Sequence, residues 1–265
     1  MDLGLSGARV LVTGGGSNIG RGIVHGFAGE GSRIVIADID GEQAEKVRLE
    51  ALELGAAAAE VVADDLTSPA AAGRAVQAAV DAWGGLDALV NNAGWSRPGF
   101  LTEDTDPALW QRTVEVNLFT AIAATQAALA PMIEARRGSI VFIASDAAFG
   151  QIRQGIYGAT KAAMIALART TAKEQGRNGI RSNIVCPGLV VPEGPEAVGQ
   201  DSLWAVGNDA VFNKKQIDFL LKDIPLRRLT TAADVANSVL WLSSEHAARQ
   251  VTGQLFSVSG GYTMP

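Results

Sequence analysis

Thr13-Gly14-Gly15-Gly16-Ser17-Asn18-Ile19-Gly20 follows the apolar run Ala8-Arg9-Val10-Leu11-Val12 and leads into a segment of helical period, Ile19–Gly29. A strand, a glycine turn and a helix in that order form a cradle for phosphate. Glycines let the backbone turn tightly and approach a pyrophosphate closely, and the helix start offers unpaired N–H groups. Gly14, Gly16, Ser17, Asn18, Ile19 and Gly20 are the expected contacts. Asn18 stands where many such turns have another glycine. If that position needs a positive φ, asparagine is among the non-glycine residues that tolerate it best.

Working outward, strand-length apolar runs alternate with amphipathic stretches. The runs are Arg9–Val12, Arg33–Ala37, Ala58–Val62, Ala88–Val90, Ser139–Ile143, Arg181–Val185 and Gln254–Val258. Between them lie Ile19–Gly29, Gly41–Leu54, Pro69–Trp83, Pro107–Ala135, Gly155–Gln175 and Ala232–Ser243. Strands that are apolar throughout are parallel and covered on both faces. Right-handed crossovers then predict an α/β fold: one Rossmann-type doubly wound parallel sheet with helices on both faces, residues 1–265 forming a single domain. Pro192–Thr231 breaks the rhythm. It is long for a connection and carries Leu203, Trp204, Val206, Val211 and Phe212, so it is expected to be a substrate-binding lid.

Composition narrows the partners. The chain has 265 residues, 48% hydrophobic and 19% charged, with a formal net charge of −6. No basic stripe suggests nucleic acid. Cys186 is the one cysteine, and with only two histidines, His25 and His246, no metal site is expected. No unbroken apolar run reaches the ~18 residues of a membrane span, and the first strand starts too early for a signal peptide. The cytosol is the expected compartment.

The second strand candidate ends at Asp38, 18 residues past Gly20. A carboxylate there can accept both adenosine ribose hydroxyls and would repel a 2′-phosphate. Gly15, Gly16 and Ile39 bring no cation to offset it, so NAD is expected over NADP.

Further landmarks follow in order: Asp65-Leu66-Thr67, Asn91-Asn92-Ala93-Gly94, Asn117 in Val-Glu-Val-Asn-Leu, Ser145, Tyr157-Gly-Ala-Thr-Lys161, Asn183 and Pro187-Gly188. This ordered set resembles the short-chain dehydrogenase/reductase family over about residues 5 to 262. The resemblance implies a seven-stranded sheet of order 3-2-1-4-5-6-7 and a catalytic tetrad of Asn117, Ser145, Tyr157 and Lys161. It also implies a cofactor cleft lined by Ile39, Asp65, Leu66, Asn92, Ala93, Gly94, Tyr157, Lys161, Pro187, Gly188 and Val190. The helices 107–135 and 155–175 would pair subunits in a homotetramer or dimer. The residue chemistry agrees with the tetrad. A free tyrosine has a pKa of ~10. Lys161, one helical turn on, would with the charge of oxidised nicotinamide favour the phenolate and make Tyr157 a usable base. Ser145 would hold the substrate oxygen as a donor. Asn117 would order a proton-relaying water, or else be a buried side chain bonded to backbone.

The sequence departs from the family pattern in places. Pro192 stands where a threonine often bonds the nicotinamide, and Ser259 replaces a common aspartate. Ser145 and Tyr157 are 12 residues apart, one fewer than usual. The expected substrate walls are Trp95, Arg97, Ser145, Phe149, Ile152, Arg153, Leu203, Trp204, Val211 and Phe212. They suit a hydrophobic secondary alcohol, cyclic, aromatic or linked to coenzyme A, with Arg97, Arg153, Lys214 and Lys215 available to an anionic handle. Ser145-Asp146-Ala147-Ala148 resembles that stretch in members acting on alicyclic hydroxyacyl-CoA compounds. The alternatives are an NADPH-dependent ketone or 3-oxoacyl thioester reductase and a non-catalytic cofactor-binding subunit.

Overall fold

The computed structural model describes residues 2–200, 202–206 and 213–265. Seven strands form one sheet: β1 (Arg9–Thr13), β2 (Arg33–Asp38), β3 (Ala58–Ala63), β4 (Ala88–Asn91), β5 (Gly138–Ile143), β6 (Ile180–Pro187) and β7 (Leu255–Val258). All pairs are parallel and the order is β3-β2-β1-β4-β5-β6-β7. The order reverses between β1 and β4. At that switch point the carboxyl ends of neighbouring strands diverge and leave a crevice.

The helices are α1 (Asn18–Gly29), α2 (Gly41–Glu53), α3 (Pro69–Trp83), α4 (Pro107–Val114), α5 (Thr120–Ala135), α6 (Gly155–Gln175), α7 (Lys214–Asp223), α8 (Ala232–Ser243) and the short α9 (Glu245–Ala248). Two apolar layers sandwich the sheet. Leu11, Leu89, Ile140 and Phe142 pack with α3, α5 and α6, while Val10, Val12, Ile34 and Val141 pack with α1, α2 and α8. The central strands are buried on both faces because their side chains alternate between these layers, while the edge strands β3 and β7 are partly exposed. Helix starts follow local chemistry. Asp40 accepts the Gln43 N–H at the head of α2, Asp106 caps α4 with Pro107 behind it, and Thr231 with Asp234 forms a capping box on α8.

The stretch expected as one helix, 107–135, is interrupted. Glu115–Phe119 is a π-helical turn with Asn117 at its centre. Taken whole, Pro107–Ala135 is long and apolar enough by length and composition to cross a membrane. The expectation drawn from unbroken apolar runs missed this, because polar residues punctuate the stretch. In the fold it is a layer helix: Ala121, Ala124, Ala128 and Met132 are buried against the sheet and α3.

Candidate active site

The crevice at the switch point is a cleft of about 340 Å³. One end is built by the glycine turn. Thr13 closes β1, and its Oγ1 accepts the N–H groups of Asn92 (3.0 Å) and Ala93 (3.1 Å). Asn92 Nδ2 donates in return to Thr13 O (3.0 Å) and Gly14 O (2.8 Å). The turn is thereby tied to the end of β4. Gly14 has φ 63°, and a Cβ there would meet Ala93 Cα at 2.8 Å. A Cβ on Gly20 would overlap Gly14 O. Asn18 adopts φ 41°, as its residue type allows, and its Nδ2 donates to Val190 O at 3.3 Å. That bond joins the glycine turn to the segment after β6.

Asp38 sits at the end of β2 facing this turn. Its carboxylate accepts the N–H groups of Gly16 (2.8 Å) and Asp40 (3.0 Å). Burial raises its pKa, and those N–H bonds oppose the rise. Asp40, Asp64 and Asp65 line the same end, together with Leu66 and Thr67. Arg74 is paired to Asp64.

At the other end the cleft is lined by Gly94, Trp95, Ser96, Arg112, Ile143, Ala144, Tyr157 and Lys161. Tyr157 and Lys161 lie one turn apart on α6, with Lys161 Nζ 5.6 Å from the phenol ring centroid. Lys161 is almost wholly buried, and its Nζ donates to Ile143 O at 2.9 Å. Burial pushes Tyr157 up to about 12 and Lys161 down to about 8. Lys161 and a bound oxidised nicotinamide were together expected to bring the phenol down; in the chain by itself burial raises it, and the side-chain hydrogen bond with Ser145 opposes the rise. Ser145 follows β5, and Cys186 lies on β6. Cys186 is fully buried, and burial pushes its thiol up to about 12.

Asn117 is fully buried, and its side chain is committed to backbone. Nδ2 donates to Trp95 O (2.7 Å) and Thr113 O (2.8 Å), and Oδ1 accepts the Trp95 N–H (3.2 Å). The π turn places it there, a distortion that recurs at functional sites. Asn117 Oδ1 and Lys161 Nζ converge on Gly94, where a Cβ would meet them at 2.9 and 3.2 Å.

The substrate-side expectations fare less evenly. Trp95 lines the cleft, with Arg112 stacked on its ring at 5.1 Å; Arg112 was missed from the sequence. Arg97 and Arg153 do not line the cleft. They line a second, polar recess of about 360 Å³ with Glu103, Asp104 and Asp106, which shares Tyr157 with the first. Phe149 is exposed and lines neither. Gly16, Pro187, Gly188 and Val190 do not line the cleft wall; Gly188 packs against Ser259, and Val190 acts through its carbonyl. Leu203 lies in the single turn Leu203–Val206, and Val211 and Phe212 lie outside the described residues. Trp204 is buried and lines the cleft with Gly199 and Ser202.

That wall reveals a contact the sequence did not suggest. Residues 196–200 strap across the acidic end of the cleft. Gly199 N donates to Ser17 Oγ (2.8 Å) and Gln200 N to Asp40 Oδ2 (3.2 Å). Glu196 O accepts from Lys46 Nζ (2.9 Å) and Gln43 Nε2 (3.2 Å) on α2.

A glycine cradle at a sheet switch point, a carboxylate at the end of β2 and a phenol in the cleft wall one turn from a buried ammonium define a dinucleotide-binding oxidoreductase. The chain belongs to the short-chain dehydrogenase/reductase family, whose members bind a nicotinamide cofactor. Residues 14–263 match a family model described as enoyl-(acyl carrier protein) reductase. The chain is 36% identical to the (2S)-[(R)-hydroxy(phenyl)methyl]succinyl-CoA dehydrogenase subunit BbsD of Thauera aromatica, covering 99% of each. It is 35% identical to 2-(S)-hydroxypropyl-CoM dehydrogenase 3 of Xanthobacter autotrophicus, covering 96% of each. The structure of a short-chain type dehydrogenase/reductase from Mycobacterium ulcerans superposes with a TM-score of 0.88 at 31% identity, covering 97% of this chain and 90% of that one.

Proposed function

We propose that the protein is an NAD-dependent dehydrogenase interconverting a hydrophobic secondary alcohol, cyclic, aromatic or thiol-cofactor-linked, and its ketone. The observation that carries this is Tyr157, half-buried in the cleft wall one turn from the buried Lys161, at one end of a cleft whose other end is carboxylate-lined. The cradle around Gly14, Gly16 and Gly20 suits a pyrophosphate, and Asp38 suits two ribose hydroxyls. A 2′-phosphate would face Asp38, Asp40 and Asp65, which favours NAD. The relatives named for a hydroxyacyl-type CoA compound and a hydroxypropyl-CoM compound support a secondary alcohol on a polar carrier.

When bound, the nicotinamide supplies the hydride acceptor and a positive charge beside the phenol. Tyr157 takes the hydroxyl proton as the carbinol C–H pair departs as hydride. Lys161 keeps its charge near the phenolate and anchors to β5 through Ile143 O. Ser145 bonds the substrate oxygen, and Asn117 holds the Trp95 loop in place. The described residues between 192 and 231 act as a lid on a single-domain chain. The helices 107–135 and 155–175 pair subunits, with Trp110, Phe119 and Ile133 exposed on the first.

The test is turnover of a panel of secondary alcohols with NAD and with NADP, before and after Tyr157→Phe. Loss of about a thousandfold in kcat is expected, within the range of general acid–base catalysis. Oxidation should rise with pH, since the base must be deprotonated, and reduction should fall. A second reading, an NADPH-dependent reductase of an acyl thioester, draws on the description of the matched family. Tighter binding of NADPH than NADH in a titration would favour it.

A further inference from the structure

Ser17 stands at the N-cap of α1 in an extended conformation, yet its hydroxyl makes no capping bond to the helix. It accepts the Gly199 N–H at 2.8 Å instead. Asn18, the first residue of α1, holds φ 41° and sends its Nδ2 to Val190 O at 3.3 Å. An N-cap hydroxyl ordinarily accepts an N–H from the first turn of its own helix. Here both side chains turn to the segment after β6, and the first N–H groups of α1 stay available to a phosphate.

Val190 lies in the neck of the proposed lid. It is buried and pairs with Thr230 in an isolated parallel bridge, so the two ends of the excursion lie side by side. Both ends are pinned to the end of β7. Gly188 N donates to Val258 O (3.0 Å), and Thr230 Oγ1 donates to the same oxygen (2.9 Å). The neck continues from β6, whose Val185 pairs with Ile143, the residue whose carbonyl anchors Lys161. It therefore starts at the Lys161 end of the cleft, where the nicotinamide half of a dinucleotide would lie.

Resting on the reading of the cleft as a dinucleotide site, we propose that Asn18 is a positioning residue: its carboxamide ties the neck of the lid to the phosphate turn, so that one support holds the pyrophosphate and sets the neck beside the nicotinamide half. Glycine at this position would accept the same positive φ and has no side chain to make the tie. Ser17 adds a second point of attachment through Gly199. The tie orders the neck in advance, and a ligand that reaches the neck is spared that ordering cost. ADP fills the cradle and stops short of the neck, so it gains nothing from the Asn18 bond. A full dinucleotide does.

Asn18→Gly tests the proposal, because it keeps the turn and removes the bond. In the ligand-free protein, amide hydrogen exchange of the peptide 188–191 should quicken about fivefold relative to the β1 peptide 9–13, the scale of one neutral hydrogen bond. In calorimetry, the ratio of the NADH dissociation constant to the ADP dissociation constant should rise by about the same factor. An asparagine that served the turn alone would move the two constants together. Asn18→Asp sets a carboxylate oxygen against Val190 O and should quicken the exchange at least as much. It is measured the same way if the glycine variant does not fold.

Exchange of 188–191 as slow as in the wild type, or equal weakening of NADH and ADP, overturns the proposal. If NADPH is the tighter ligand, it replaces NADH in the ratio. Absence of alcohol turnover would remove the catalytic reading and leave both measurements able to judge Asn18, since neither needs catalysis. If no dinucleotide binds, the reading of the cleft fails, and the exchange rate alone decides whether Asn18 holds the neck.

Discussion

The two walls of the cleft are held in different ways. The wall formed by the ends of β1 and β4 is fixed by short reciprocal bonds between Thr13, Gly14, Asn92 and Ala93, beneath fully buried strands. The facing wall, residues 196–200 and 202–204, reaches α2 and the glycine turn through three backbone groups among the described residues, Glu196 O, Gly199 N and Gln200 N. The bonds to Glu196 are exposed and those of Gly199 and Gln200 only partly buried. Water competes for such bonds, so each contributes little net free energy. The first wall is a consequence of folding the sheet. The second rests on contacts that the sheet does not depend on, which is the arrangement the proposed lid needs.

Substitutions on the two walls should therefore separate. The largest effect is expected at Gly20→Val, whose side chain has no room beside Gly14 O and Asn92. Dinucleotide affinity should fall by roughly a hundredfold or more, and stability by about 1–3 kcal/mol, the usual range for overpacking. Calorimetry with NAD and a thermal melt would check both; near-normal binding would break the contrast. Next, Asp38→Ser should weaken NAD about tenfold or more, the scale of hydrogen bonds to a carboxylate, while narrowing the gap to NADP. The melting temperature should hardly move.

On the facing wall the effects should be smaller and kinetic. Gly199→Ala puts a Cβ 2.5 Å from Asp40 Oδ2, a side-chain end that can swing away. Stopped-flow release of dinucleotide should then speed up by about threefold, with stability unchanged. Lys46→Ala removes one exposed bond and should change release by less than about twofold, as exposed charge contacts contribute little. A release rate that moved more on Lys46→Ala than affinity moved on Gly20→Val would invert the comparison.

The same contrast explains what the sequence discloses. The apolar runs from Arg9 to Val258 mark all seven strands; burial on both faces leaves an uninterrupted signal in the central ones, while the edge strands β3 and β7 keep an apolar majority around the exposed Glu60 and Ser257. Pro69–Trp83 and Gly155–Gln175 begin and end where their proline, glycine and apolar spacing place them. Asp38, Tyr157 and Lys161 are legible because their chemistry is rare in such positions. The π turn is not, since Glu115–Phe119 contains no glycine or proline to announce it. The strap is hidden for a different reason: its main-chain groups meet residues 150 to 182 positions away, and main chain carries no residue signature. Phe149 and Arg153 mislead because apolar and cationic side chains near a site read as pocket walls. The tight turn after Ser145 sends Phe149 to the surface, and Arg153 lies over Phe100 instead.

Cys186 gives the protein a built-in reporter. It is the chain's single sulfhydryl, fully buried near the carboxyl end of β6 and held protonated. Alkylating reagents need the thiolate and a path to it. Labelling of the native enzyme should therefore wait for the sheet itself to come apart, so one modification per chain, counted by mass over time, would clock global unfolding, undisturbed by motion of the strap.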